Sequence, residues 1–172
     1  MDCDGRHLVG LTESKRLAVW DATTGRMIRI LEGYQDPVYL ARLLPDGKSV
    51  LAQSFRPGTD WATWGITDKG PRDNSMRLWD IDSGKVLWRI PDSFFDAISR
   101  DGKRVYGVQS KVSPNLEQPK MVCWEIRTGS PLFTMPGFAP LGFLSNIVEE
   151  SADGRRLLYS DSYKVTIFDL LS

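Results

Sequence analysis

The 172-residue chain is short of the residues on which most catalytic and metal chemistry depends. It holds one histidine, His7, and two cysteines, Cys3 and Cys123, far apart in sequence. A single imidazole excludes Ser-His-Asp relays and multi-histidine metal sites unless His7 itself serves. Two distant cysteines make no disulfide framework, and without imidazole partners they make no zinc site. An excess of one charge is also missing, since Lys plus Arg equals Asp plus Glu at 22 each. That balance gives no electrostatic reason to expect nucleic acid or an anionic membrane as partner. No apolar run approaches the roughly 18 residues of a membrane span. The opening MDCDGRHLVG carries no apolar secretory core. The expectation is a cytoplasmic protein without a cofactor.

Other constellations fail on spacing. No glycine-rich phosphate loop stands between a strand and a helix. Glu149 and Glu150 are neighbours, so in a strand they point to opposite faces and cannot work as a carboxylate pair. Asp60, Asp68 and Asp73 lack the spacing of a calcium loop. Helical periodicity of useful length is absent, which leaves an all-β chain.

What the chain does have is internal repetition. The strings LAVW (17–20), MRLW (76–79), MVCW (121–124) and VTIF (165–168) align on a final aromatic: Trp20, Trp79, Trp124 and Phe168. An acid follows each: Asp21, Asp80, Glu125 and Asp169. Three of the four then reach a small residue and glycine, in TTGR, DSGK and RTGS. An Asp-Gly pair precedes each string, in CDGR, PDGK, RDGK and ADGR. The aromatics are spaced 59, 45 and 44 residues apart, so insertions interrupt a unit of about 40. Asp-Gly tolerates positive φ and nucleates tight hairpins. The flanking runs VYLARLL, SVLAQSF and RVYGVQS are rich in strand formers. Each unit therefore reads as a four-stranded antiparallel meander, with strands a, b, c and d. The c strands are apolar on both faces, as in a sheet sandwiched between two neighbours, which is the condition of a propeller blade. The blade units fall at about 1–35, 36–93, 94–142 and 143–172 of one continuous segment. The first lacks strand a and the last lacks strand d.

These repeats resemble the WD-repeat β-propeller family over nearly the whole chain. The best segment is GYQDPVYLARLLPDG, Gly33 to Gly47, and DNSMRLWD, Asp73 to Asp80, is close to the family's c strand. The resemblance implies a blade tied by a hydrogen-bonded set of His, Ser/Thr, a turn Asp and the Trp. The chain departs from that set. Tyr34 stands where His is usual, and the turn Asp occurs only as Asp73, with Ser14, Gln118 and Ser162 at the matching positions. Packing of Trp20, Trp79, Trp124 and Phe168 is then expected to carry the blades, with Asp21, Asp80 and Asp169 beside them. The rival resemblance is to the pyrroloquinoline-quinone enzyme propellers, through IDSGKVLW. Only one unit has the second tryptophan, Trp88, which weakens that reading.

Four partial blades leave two apolar faces uncovered. Three arrangements meet that need: a piece of a longer chain, two copies pairing into a closed ring of eight blades, or an open arc. Antiparallel order puts all the short Gly turns on one rim and the long segments on the other. The long segments run at about 55–74, 110–120 and 136–145. Insertions gathered on one face of a repeat protein mark its binding face. The longest holds Arg56, Asp60, Trp61, Trp64 and Arg72, and Trp and Arg are enriched at binding hot spots. The expected function is a non-catalytic interaction scaffold that binds protein partners through this rim. A quinoprotein-like or other enzyme propeller, and an accessory propeller of a larger catalytic chain, are the other readings the sequence allows.

Overall fold

The computed structural model describes residues 5–54, 73–109, 120–135, 147–160 and 165–170. The described residues contain strands and turns and no helix. Among the described residues fourteen strands occur in chain order. They are β1 (His7–Leu11), β2 (Leu17–Asp21), β3 (Met27–Leu31), β4 (Val38–Leu43), β5 (Ser49–Ser54), β6 (Ser75–Asp80) and β7 (Val86–Pro91). Then come β8 (Ser93–Ile98), β9 (Arg104–Gln109), β10 (Lys120–Glu125), β11 (Pro131–Met135), β12 (Ile147–Glu150), β13 (Arg156–Ser160) and β14 (Val165–Asp169). They form four sheets of sequential strands, ordered β1-β2-β3, β4-β5-β6-β7, β8-β9-β10-β11 and β12-β13-β14. These are blade-type meanders, two of four strands and two of three. Strands β1 to β7 make one compact unit and β8 to β14 a second, with the division after Ser93.

The repeated turn sequences fold alike because they solve the same backbone problem. Gly47, Gly102 and Gly154 sit at φ between 63° and 69° in the Asp-Gly turns, a region where a β-carbon is strained. Each of these glycine amides closes a turn onto a carbonyl three residues back, Gly102 onto Ser99 at 2.9 Å for example. The turn aspartate then caps the following amides. Asp46 Oδ1 accepts from the Lys48 and Ser49 amides at 2.8 and 2.9 Å. Asp101 and Asp153 do the same for Lys103 and Arg155, each at 3.0 Å.

The second turn class uses the acid after the aromatic. Gly25, Gly84 and Gly129 donate to the carbonyls of Asp21, Asp80 and Glu125 at 2.8–2.9 Å. The acid's side chain closes the same turn. Asp21 Oδ1 accepts from the Thr23 and Thr24 amides at 2.9 and 2.7 Å, and Asp80 Oδ1 from the Ser83 amide at 2.8 Å. Glu125 reaches the Thr128 hydroxyl at 2.6 Å. One further bond recurs in all four sheets. The residue after the acid donates its amide to the residue after the Asp-Gly pair: Ala22 to Arg6, Ile81 to Lys48, Ile126 to Lys103 and Leu170 to Arg155. It staples both turn ends of strands b and c together.

A bulge recurs as well. The c–d registers slip between Val19 and Trp20, between Leu78 and Trp79, and between Cys123 and Trp124. The slip leaves Ile28, Leu87 and Leu132 as the unpaired residues on the d strands, and all three are exposed. It also aligns Trp88 with Arg29 and Phe133, opposite Leu78, Val19 and Cys123 respectively, so a second tryptophan belongs to one sheet alone.

In the first unit the core lies between its two sheets. Leu17, Val19 and Leu31 pack with Val38, Leu43, Val50, Ala52, Trp79 and Ile81. In the second unit Tyr106, Met121, Cys123 and Met135 pack with Leu157 and Tyr159. Trp79 and Trp124 are buried as the repeat implies, but Trp20 and Phe168 are only half-buried. Both belong to three-stranded sheets, where fewer neighbours are available to cover the ring. The four aromatics therefore share a position without sharing its energetic weight.

Candidate interaction rim

Within each sheet the short hydrogen-bonded turns lie at one end and the long segments leave from the other. Segment 55–72 joins β5 to β6, 110–119 joins β9 to β10, and 136–146 joins β11 to β12. The candidate contact residues Arg56, Asp60, Trp61, Trp64 and Arg72 lie outside the described residues. What the structure describes is the base from which their segment departs.

That base is a dense polar centre built on Asp73. Ser54, the last described residue before the segment, donates its hydroxyl to the Asp73 carbonyl. The Asp73 amide donates to Asp36 Oδ2 at 2.6 Å. The Asp73 carboxylate accepts from the Gln35 amide at 3.2 Å, the Ser75 hydroxyl at 2.9 Å and Arg89 at 3.1 Å. It also pairs with Arg77, and both side chains of that pair are buried. Burial alone would raise the carboxyl's pKa. The bonds from Ser75, Gln35, Arg77 and Arg89 outweigh it and hold Asp73 below the usual carboxylate range.

Arg77 spreads its guanidinium over three acceptors: Asp73, the Ser75 hydroxyl at 3.1 Å and the Gly33 carbonyl at 2.6 Å. The same group lies 4.3 Å from the centre of the Tyr34 ring. Tyr34 in turn packs 5.0 Å from the Trp79 ring and donates its hydroxyl to the Ala52 carbonyl at 2.6 Å. Desolvation raises the Tyr34 pKa far above that of free tyrosine, so the phenol stays a neutral donor. Tyr34 thus ties β5 through its hydroxyl. The Trp79 indole Nε1 is buried with no hydrogen-bond partner among the described residues.

The structural aspartates divide by role. Asp21 and Asp80 close the c–d turns, at the end opposite the long segments. Their pKa values are lowered, Asp21 chiefly by bonds to Thr24 and Asp80 by bonds to Ser83. Asp169 ends β14 and is exposed. Among the described residues no three His, Cys, Asp or Glu side chains converge as a metal-binding group, and no helix is long and apolar enough to cross a membrane.

One rim residue went unremarked in the sequence. The β4–β5 register slips between Val38 and Leu40, leaving Tyr39 on a bulge, 62% exposed. Its neighbour Val38 pairs with Ser54, so Tyr39 stands at the base of segment 55–72. Before the bulge Asp36 and Val38 are buried while Gln35, Pro37 and Tyr39 face solvent. Strict alternation through GYQDPVYL hides that strip, because a bulge has no composition signature of its own.

In the second unit Glu150 plays a linking part between the sheets. Its Oε1 accepts from Arg104 at 2.6 Å and from the Tyr106 hydroxyl at 3.2 Å, and its Oε2 from the Arg100 amide at 2.9 Å. These bonds fix β12 against β9 and use Glu150 in packing.

No family model matches the chain. Over 111 residues it is 26% identical to eukaryotic translation initiation factor 3 subunit I of Neurospora crassa. The matched stretch is 63% of this chain and 27% of that protein, so the chain spans about a quarter of that relative's length. It is distantly similar to a subunit of a translation initiation factor.

Proposed function

We propose that the chain is a degenerate WD-repeat propeller segment that works as a non-catalytic, cytoplasmic protein-interaction scaffold. The rim carrying the long segments is its contact surface, with Arg56, Asp60, Trp61, Trp64, Arg72 and the bulge residue Tyr39 as contacts. The observation that carries this reading is the division of labour within each sheet. One end is closed by short, repeated, internally satisfied turns; the other sends out the long segments, the longest rich in Trp and Arg from a rigid polar base. The distant similarity to a subunit of a multi-subunit factor agrees with a protein partner. Segments that vary in length on a constant scaffold are where repeat proteins place recognition.

The test is co-purification of partners from the native source with wild type and with a Trp61→Ala/Trp64→Ala variant. The variant is expected to lose its stoichiometric partner while keeping its melting temperature. Partner capture unchanged in a stably folded double variant would defeat the assignment of this rim. A large fall in melting temperature would give the two tryptophans to blade packing instead.

A further inference from the structure

The two sheets of the second unit meet differently from those of the first. Leu43 and Glu150 hold matching places, one residue ahead of the Leu44 and Ser151 amides that bond across the Asp-Gly turns. Leu43 is buried in an apolar joint, to which its sheet also gives Val38, Val50, Ala52, Trp79 and Ile81. Glu150 makes the matching joint polar. Its side chain is 6% exposed, and its donors all come from the other sheet: Arg104 and the Tyr106 hydroxyl on β9, and the Arg100 amide in the β8–β9 turn. Among the described residues the last sheet gives only Leu157 and Tyr159 to the buried cluster, while Val165 and Ile167 of β14 are 60% and 62% exposed. An apolar joint loses all its burial on parting, whereas a buried ion pair recovers the hydration it gave up, so a polar joint parts at lower cost. Local opening takes place where buried apolar contact is least.

We propose that β12–β14 opens from the face of β8–β11 as one cover while β8–β11 stays folded, and that Glu150 is its latch. Cys123 of β10 lies in the cluster beneath the cover, packed with Leu157 and Tyr159, and is fully buried when the cover is closed. Opening brings the thiol to solvent, and the ladders of β10 with β9 and β11 need not break for it. The reactivity of Cys123 is thereby made conditional on the latch. The device is independent of the scaffold reading.

The experiment treats the full chain with iodoacetamide at pH 8 in native buffer, maps the product by peptide mass, and follows amide hydrogen exchange beside it. Glu150→Gln keeps the size of the side chain and removes its charge. It is expected to speed both alkylation of Cys123 and exchange in β13 and β14 by about tenfold or more, while the amides of β9 and β10 keep their protection. Equal alkylation rates in wild type and a folded variant would overturn the proposal. So would protection lost from β9 and β10 together with β13 and β14, which is unfolding of the whole unit. Should Glu150→Gln fail to fold, Tyr106→Phe decides, because it removes one donor from the latch and keeps the ring. Alkylation faster by roughly threefold, with β9 and β10 still protected, then supports the proposal, and an unchanged rate overturns it.

Discussion

Asp73 and Cys123 are both buried, yet their pKa values move in opposite directions. Asp73 is buried but richly bonded, so its folded pKa lies below the unfolded value near 3.9. The stability it contributes is present above that value and is lost as pH falls through the folded pKa. Urea melts at pH 7, 4 and 3 should show wild type losing stability on acidification. Asp73→Asn should start lower at pH 7 and fall less steeply. Equal acid slopes would remove Asp73 as a source. Cys123 is buried without such bonds. Desolvation, with a push from Glu150 against a pull from Arg104, takes its thiol up to about 12. The thiolate is the reactive form, so native protein at pH 8 should leave Cys123 unmodified by iodoacetamide, read by peptide mass mapping. Modification should appear only in denaturant.

Glycines at the element scale separate two costs that substitution usually mixes. Gly25 and Gly84 occupy equivalent turns at φ 68° and 69°. A β-carbon at Gly25 meets nothing within 4 Å, whereas at Gly84 it lies 2.8 Å from Arg29 Cδ. Gly25→Ala should cost about 1 kcal/mol of conformational strain alone. Gly84→Ala should cost at least that, with the Arg29 bond to the Asp82 carbonyl lost in addition. Gly107 is a different case, in mid-strand. A β-carbon there would lie 2.7 Å from the Phe95 Cα and run into the Phe94 carbonyl. Backbone cannot swing aside as a side chain can, so Gly107→Ala should destabilise by roughly 3 kcal/mol in chemical denaturation. The turn glycines were legible in the sequence because Asp-Gly and Thr-Gly announce their φ. Gly107 was not, because RVYGVQ reads as an ordinary strand and the close approach comes from β8.

For the whole molecule, the repeat was legible and the centre that holds the second sheet was not. Four aligned strings, four acids and four Asp-Gly pairs are local and periodic, so they fix an all-β chain of meanders. The Asp73 centre joins Gly33, Tyr34, Asp36, Ser54, Ser75, Arg77 and Arg89, brought together across up to 56 positions of chain. Nothing local in MRLW marks Arg77 as part of a buried centre, and only the fold shows it inside. The unequal burial of the aromatics has the same origin, since it depends on how many strands a sheet has. Trp79→Ala should therefore cost about 4 kcal/mol, and Trp20→Ala roughly half that. Thermal melts of the two variants would check the order. A rim that recognises partners through residues held on this base should also lose capture with a folded Tyr39→Ala variant, checked by co-purification.

The amide bond repeated in every sheet, from Ala22, Ile81, Ile126 and Leu170, has a bearing on descent. It uses only backbone atoms, at the end where the turns are short, and so survives almost any change of side chain. A gene that grows by copying its own segments needs a joint of that kind. Each copy inherits a closed end that works at once, while the other end is at liberty to lengthen and drift. The four units differ in their aromatic and in their acid, while the same joint is present in each.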